Sequence, residues 1–287
     1  MTSIICIGDF GSGQEIQYRV SQLIKYLNNR LPCELVLGLG DNIYPTGVKC
    51  VNDNNFIDKF EKPYSILPEH IKFYNCLGNH DYYGGKKSIK SQINYTQKSN
   101  RWVLPSNYYC FGKIVNGISC DFFVIDTNLY EVTDNQKEQK KQEKWIIEQL
   151  GKSKARWRIV YGHHPWKSCG VHGNCGDKLD EFYSNICKTN KVDIIINGHD
   201  HDQQHLYIPD IVNLVVSGTG GKTRYMPEVI RDLSAYKYVK LFSCSEAGCV
   251  ELIPTQNNLL VNFHTIDGDM NHQLPHNFSI TNKRISK

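Results

Sequence analysis

Short apolar runs recur along the chain, and most of them end at a glycine followed by polar residues. Ile4-Ile5-Cys6-Ile7 gives way to Gly8-Asp9-Phe10-Gly11-Ser12-Gly13, after which Ile16, Val20, Leu23, Ile24 and Leu27 recur at helical spacing. The pattern predicts strand, glycine-rich turn and helix. Glu34 to Leu39 predicts a buried strand that delivers Gly40-Asp41-Asn42-Ile43-Tyr44 at its carboxyl end, where open α/β sheets place their sites. Helix is expected around Phe56 to Tyr64, and Ile71 to Leu77 predicts a strand ending in Gly78-Asn79-His80-Asp81. Ser88 to Trp102 is polar with scattered aromatics and is assigned no element, while Arg101 to Tyr109 reads as a loop entering a strand. Cys120 to Asp126 predicts another strand, and the charged run from Asp134 to Lys144 continues into Trp145, Ile146, Ile147 and Leu150 as an amphipathic helix with a solvated Lys/Glu face.

Two further strands end in histidine. Arg158 to Tyr161 stops at Gly162-His163-His164-Pro165, and Val192 to Asn197 stops at Gly198-His199-Asp200-His201. Asn213 to Ser217 predicts a strand before a glycine loop, and more strands are expected near Tyr238 to Phe242, Val250 to Ile253 and Leu259 to His264. The polar tail from Gly268 is expected to be ordered only in part. Strands alternating with helices, with no linker and no repeat, predict one α/β domain over residues 1–287.

Each strand end has a plain reading of its own. Asp9 suits a turn or a helix cap, Asn79-His80-Asp81 a polar turn, and a strand-end histidine a structural hydrogen bond. The first glycine-rich turn lacks the Lys-Ser/Thr of a P-loop, and its spacing does not fit a dinucleotide fingerprint. Together, five strand ends carrying Asp9, Asp41 with Tyr44, Asn79 with His80, His163, and His199 with His201 point to metal. Neutral imidazole and carboxylate suit zinc, iron or manganese, and one carboxylate bridges two cations through its two oxygens.

Composition narrows the classes. A formal charge of +4 is compatible with an anionic substrate and too small to argue for nucleic acid. No run approaches the roughly 18 apolar residues of a membrane span. Met1 is followed almost at once by a strand with no leader pattern, so a cytoplasmic protein is expected, with most of its eleven cysteines reduced and Asn94-Tyr95-Thr96 and Asn277-Phe278-Ser279 chance matches to a glycosylation pattern.

The ordered blocks Gly8-Asp9-Phe10-Gly11, Gly40-Asp41-Asn42-Ile43-Tyr44, Gly78-Asn79-His80-Asp81, Gly162-His163-His164-Pro165 and Gly198-His199-Asp200-His201 resemble the five metal-binding blocks of the purple acid phosphatases, within the calcineurin-like metallophosphoesterases. The likeness is to the small animal-type, tartrate-resistant branch, and it extends to Arg101-Trp102 through Tyr109, Asp126-Thr127 and Ser217-Gly218. Gly11 stands where most metallophosphoesterases have a histidine, and Tyr44 supplies a phenolate instead. The resemblance implies a four-layer αββα sandwich of two mixed sheets flanked by helices. It further implies Fe(III) held by Asp9, Asp41, Tyr44 and His201, and a divalent iron, zinc or manganese held by Asp41, Asn79, His163 and His199. His80 matches the residue that contacts substrate phosphate and protonates the leaving group, and His172 resembles a second such histidine, although Cys169 and Cys175 beside it leave open a small Cys/His metal site. His164 stands where the branch has tyrosine and is a pocket residue without an assigned role.

The implied activity is hydrolysis of phosphate monoesters, small or on phosphoproteins, by a monomer in which metal-bound hydroxide attacks phosphorus. Activity should fall as pH rises past the ordinary imidazole pKa of about 6.5. The competing readings are a phosphodiesterase or nucleotide hydrolase, and an inactive metal-binding scaffold. Several departures bear on regulation and specificity: Tyr130 stands near an expected disulfide cysteine, and the segments Asn128 to Lys144 and Gly221 to Tyr238 are short. Neither the family disulfide nor proteolytic activation is therefore expected, and the pocket rim should differ.

Overall fold

The computed structural model describes residues 1–133, 135–189, 191–224 and 238–282. In chain order it runs β1 (Ser3–Ile7), α1 (Glu15–Arg30), β2 (Cys33–Gly38), a π-helical turn (Ile57–Glu61) continuing into α2 (Lys62–Tyr64), β3 (Lys72–Asn75), α3 (Asn79–Tyr83), α4 (Gly85–Tyr95) and β4 (Trp102–Val103). It continues through β5 (Tyr109–Val115), β6 (Ile118–Val124), α5 (Asn128–Glu131), α6 (Gln136–Lys152), β7 (Trp157–Tyr161), α7 (Asp177–Cys187) and β8 (Ile194–Asn197). Last come β9 (Gln203–Ile208), β10 (Val212–Ser217), β11 (Val239–Cys244), β12 (Ala247–Pro254), β13 (Asn258–Ile266) and β14 (His272–Thr281).

These strands form two seven-stranded mixed sheets, ordered β14-β13-β12-β1-β2-β3-β4 and β11-β9-β10-β8-β7-β6-β5. Each has a parallel centre, β1 to β4 in one and β6-β7-β8-β10 in the other, flanked by antiparallel strands. Side-chain alternation sorts the apolar residues of the second sheet into two cores. Phe122, Ile159, Tyr161, Ile194, Ile196 and Val215 join the core shared with β1, β2 and β3, whereas Phe123, Val160, Ile195 and Leu214 pack under Ile146 and Leu150 of α6 and Leu179, Phe182 and Ile186 of α7. On the first sheet, α1 lies against β12. The architecture is the expected two-sheet sandwich with outer helices.

Three elements differ from expectation, and two of them, α4 and β9, bury polar groups. Helix α4 turns Ser88, Ser91 and Gln92 inward, where Gln92 Nε2 donates to Asp81 Oδ1 and its carbonyl accepts from Trp102 Nε1, so no apolar stripe marks it. Strand β9 buries Gln203, Gln204 and His205. Within the polar tail, residues 272–281 form the edge strand β14, which pairs with β13 along almost its whole length, while 283–287 lie outside the described residues. Helix α7, which no expectation covered, carries a clear helical stripe of Leu179, Phe182, Tyr183 and Ile186. The short 221–238 segment noted above falls mostly on residues 225–237, outside the described residues.

Candidate metal centre

Both parallel centres direct their carboxyl ends to one seam, and the candidate residues collect there. Asp9 follows β1, Asp41 and Tyr44 follow β2, Asn79 and His80 open α3 after β3, His163 follows β7, and His199 and His201 follow β8. Asp9, Asp41 and His199 have φ of 58°, 53° and 72°, a left-handed conformation that is uncommon outside glycine and recurs at functional sites. It bends the chain out of each strand so that the side chain turns into the seam. The glycine before α3 is required for space: a Cβ on Gly78 would sit 2.2 Å from Asp41 Oδ1.

Asp9, Asp41 and His201 bring one ligand atom each to within 4.8 Å of one another. Tyr44 completes this group, its hydroxyl 3.0 Å from Asp9 Oδ1 and 3.2 Å from His201 Nε2. A second group contains His163, His164 and His199, again with ligand atoms within 4.8 Å. Asn79 Oδ1 lies 2.9 Å from His163 Nε2 and 3.2 Å from His199 Nδ1, and Asn79 Nδ2 donates to the Tyr83 hydroxyl, which fixes the amide with its oxygen facing the imidazoles. Asp41 joins the groups, because its Oδ1 is 3.4 Å from His163 Nε2.

Hydrogen-bond accounting shows that this donor set fits cations. His163 Nδ1 donates to the Leu39 carbonyl at 2.8 Å, which aims Nε2 into the seam as the atom open to a ligand. Nε2 faces Asn79 Oδ1 and Asp41 Oδ1, and His199 Nδ1 lies 3.3 Å from it, so four ligand atoms converge there. Burial pushes Asp9 well above the usual carboxylate range, with the Asp41 charge adding to it against His163 and the hydrogen bonds from His199 and Tyr44. Burial likewise raises Tyr44, and it holds His164 and His199 well below the ordinary imidazole value and His201 at about 4. Imidazoles kept neutral beside an Asp9 carboxyl that resists charging form an environment that bound cations would relieve.

The two candidate acids occupy different positions. His80 Nδ1 donates to the Pro45 carbonyl at 2.6 Å, leaving Nε2 free at 3.9 Å from Asp41 Oδ2 with a quarter of the side chain exposed. His172 stacks on His199 with ring centroids 4.3 Å apart, and its Nε2 lies 3.0 Å from Arg224 Nη1. A guanidinium only donates, so His172 Nε2 accepts and presents no proton there. Cys169 and Cys175 direct their thiols to Gln204 Oε1 and the Trp166 carbonyl, and among the described residues neither belongs to a metal-capable cluster with His172. All eleven cysteines are free thiols.

Sequence reading left His164 without a role, yet its ring joins the imidazole group while Nδ1 lies 2.7 Å from Thr127 Oγ1. Strand alternation would have turned neighbouring His163 and His164 to opposite faces, but β7 has ended at Tyr161 and the rule no longer holds. Lys222 and Arg224 at the rim carried no motif signal at all.

The profile of the calcineurin-like phosphoesterase family matches residues 2–203. Purple acid phosphatase 7 of Arabidopsis thaliana is 32% identical over 237 residues, covering 77% of this chain and 70% of that protein. Tartrate-resistant acid phosphatase type 5 of Sus scrofa is 28% identical over 237 residues, covering 75% and 68%. Among solved structures, that described as GAP50, the anchor in the inner membrane complex of Plasmodium, superposes with a TM-score of 0.83 at 20% identity, covering 98% of this chain and 89% of that one, a likeness of fold. Profile, curated relatives and donor geometry agree: the chain belongs to the calcineurin-like phosphoesterase family, in its purple acid phosphatase branch, and is a metal-dependent phosphoester hydrolase.

Proposed function

We propose that the protein is a binuclear acid phosphatase acting on phosphate monoesters, with Asp9, Asp41, Tyr44 and His201 holding Fe(III) and Asp41, Asn79, His163 and His199 holding a divalent iron, zinc or manganese. The observation that carries this reading is the sharing of Asp41 between two groups of acceptors of different charge. Two carboxylates and a phenol favour a hard trivalent ion, whereas imidazoles with an amide suit a borderline divalent one. When bound, the two cations supply Lewis acidity that lowers the pKa of water and offsets charge at the phosphoryl oxygens.

The protein's own residues do the rest. The backbone N–H groups of His80 and His199 donate to Asp41 Oδ1 at 2.9 Å and Asp9 Oδ2 at 2.8 Å, orienting both carboxylates. Tyr44 packs on His80 at 4.4 Å between centroids, holding that ring at the mouth with Nε2 free to protonate a leaving alkoxide. His164, tied to Thr127, walls the imidazole side. A phosphoprotein substrate is compatible with this open mouth.

A scaffold reading has one observation in its favour, the resemblance to a structure described as an anchor. The intact donor set favours turnover. Iron-supplemented, oxidised protein should show a visible charge-transfer band that disappears in Tyr44→Phe, and should hydrolyse phenyl phosphate faster than bis(p-nitrophenyl) phosphate. A two-metal protein without the band would sink the ferric assignment, faster diester turnover would sink monoester specificity, and inactivity with both metals bound would leave the scaffold.

A further inference from the structure

Helix α4 turns Ser88, Ser91 and Gln92 into the protein, which leaves its aliphatic residues for another surface. Ile89 and Ile93, one turn apart, line a cavity of about 1020 Å³ to which none of the candidate metal ligands contributes. Leu129 of α5 and Val132, which ends that helix, add further aliphatic wall, and Tyr82, Asn107 and Tyr108 complete it. The polar atoms in this wall are largely engaged already. The Tyr82 hydroxyl donates to Asp126, and Asn107 Nδ2 donates to the Tyr82 hydroxyl at 3.0 Å and to Asp126 Oδ2 at 3.1 Å. Small-molecule sites commonly enclose roughly 300–1,000 Å³, so the cavity admits an organic molecule with a substantial apolar body.

Positive charge is gathered along one margin of it. Lys86 and Lys90 line the same cavity one turn apart on α4, and among the described residues neither has a carboxylate at ion-pair distance. Two lysines at that spacing repel each other, and an anion between them relieves the repulsion. The cavity also reaches Gly85, where α4 begins, so the dipole of the helix adds to the same preference. Glu138 brings a carboxylate to the lining, but its Oε1 lies 2.6 Å from Lys141 Nζ and its charge is matched there.

We propose that this cavity binds one free molecule of an amphipathic anion, with its apolar body against Ile89, Ile93, Leu129 and Val132 and its anionic head between Lys86 and Lys90. The site is separate from the metal centre, and its ligand is not a substrate of it.

Each half of the ligand answers a different part of the wall. The apolar body removes the aliphatic side chains of α4 and α5 from water, which is where most of the affinity arises. The head fixes the orientation and the sign of charge, because an ammonium is a point charge that accepts a single anionic group without a demanding geometry. A wholly apolar molecule would leave the lysine pair without a counterion, and a cationic amphiphile would be repelled by it. A compact anion such as phosphate would leave the aliphatic wall wet.

The test titrates metal-loaded protein by calorimetry with decanesulfonate or with decyltrimethylammonium, each below its micelle-forming concentration, with orthophosphate in excess so that anion sites at the seam are filled. Wild type should bind one decanesulfonate, about tenfold or more tighter than the ammonium probe, as expected of a charge-assisted head-group contact. The double variant Lys86→Gln, Lys90→Gln should weaken decanesulfonate about tenfold and change the ammonium probe by less than about threefold. Val132→Trp fills the cavity and should weaken both probes more than about tenfold with the melting curve of wild type. Should that variant fail to fold, Val132→Asp decides instead, since a carboxylate in the wall should weaken decanesulfonate and spare the ammonium probe. Equal affinity for the two head groups, decanesulfonate binding that ignores the lysine variant, or no saturable binding would each overturn the site. Retention of the protein on phosphatidylserine vesicles without binding of decanesulfonate would overturn it as well, because α4 would then meet a bilayer surface and not a free molecule.

Discussion

Two buried clusters in this protein use the same residue types and differ in how their polar atoms are arranged. On β12 to β14, Glu251 Oε2 accepts from His264 Nε2 at 3.1 Å and from Asn262 Nδ2 at 3.0 Å, while His264 Nδ1 meets His272 Nε2 at 2.8 Å. The carboxylate oxygen there has two side-chain donors. At the seam, Asp41 Oδ1 accepts from the His80 backbone N–H, while His163 Nε2, Asn79 Oδ1 and His199 Nδ1 converge within 3.3 Å of one another. Burial and residue type are therefore poor guides to a metal site. What separates structure from chemistry is the convergence of ligand atoms from separate strand ends on one point, an arrangement that a cation satisfies.

The largest test of that contrast is Asp41→Ala. Losing the shared carboxylate should drop both metals and lower phosphatase activity by more than about a thousandfold, beyond the 10–100-fold expected of an outer contact. Metal analysis with activity checks it; a variant that keeps two metals and full turnover would break the comparison. Under the proposed assignment, Asp9→Ala and His163→Ala should each release one metal, the first the ion placed with Tyr44 and the second the ion placed with Asn79, separable by metal analysis after gel filtration. Tyr83→Phe is milder, since it removes only the acceptor that orients the Asn79 amide, and divalent affinity should fall about tenfold.

The smallest effect belongs to the Glu251 cluster. Burial raises the Glu251 carboxyl, but the hydrogen bonds from His264 and Asn262 with the His264 charge outweigh it, and the group lies below its ordinary value of 4.5. A carboxyl depressed on folding stabilises the fold above its unfolded pKa and loses that contribution as pH falls through the folded value. Glu251→Gln should thus lower stability by about 1–2 kcal/mol at pH 7, and the two proteins should converge in urea melts as pH drops below 4.5. Bound metal should not change. A loss of metal in this variant would mean that the two clusters are coupled.

The contrast also explains which features were legible in the sequence. Apolar runs ending in Gly-Asp, Gly-Asn-His or Gly-His exposed five strand ends, because a strand buried on both faces needs a continuous apolar run and its carboxyl end is where polar groups can emerge. The fold class followed from the same runs. Helix α4 and β9 stayed hidden because their buried positions include Gln92, Gln203, Gln204 and His205, which hydrogen-bond to partners distant in sequence instead of filling space, and β14 because it is a mostly exposed edge strand. His164, Lys222 and Arg224 stayed hidden for another reason: their places depend on where loops from separate sheets meet, and no local period encodes that.

The position of β1 has a consequence for how the molecule is made. Asp9 is fixed by a strand whose neighbours are β2 on one side and β12 on the other, with Ile4 paired to Leu252 across almost the whole chain. During synthesis, at roughly 5–20 residues per second, the first block of the centre is therefore translated long before its supporting strand exists. Until β12 arrives, the growing chain has Asp9 without a rigid platform, and the imidazoles of His199 and His201 appear only shortly before it. Competence to take up metal should switch on late and abruptly on the ribosome.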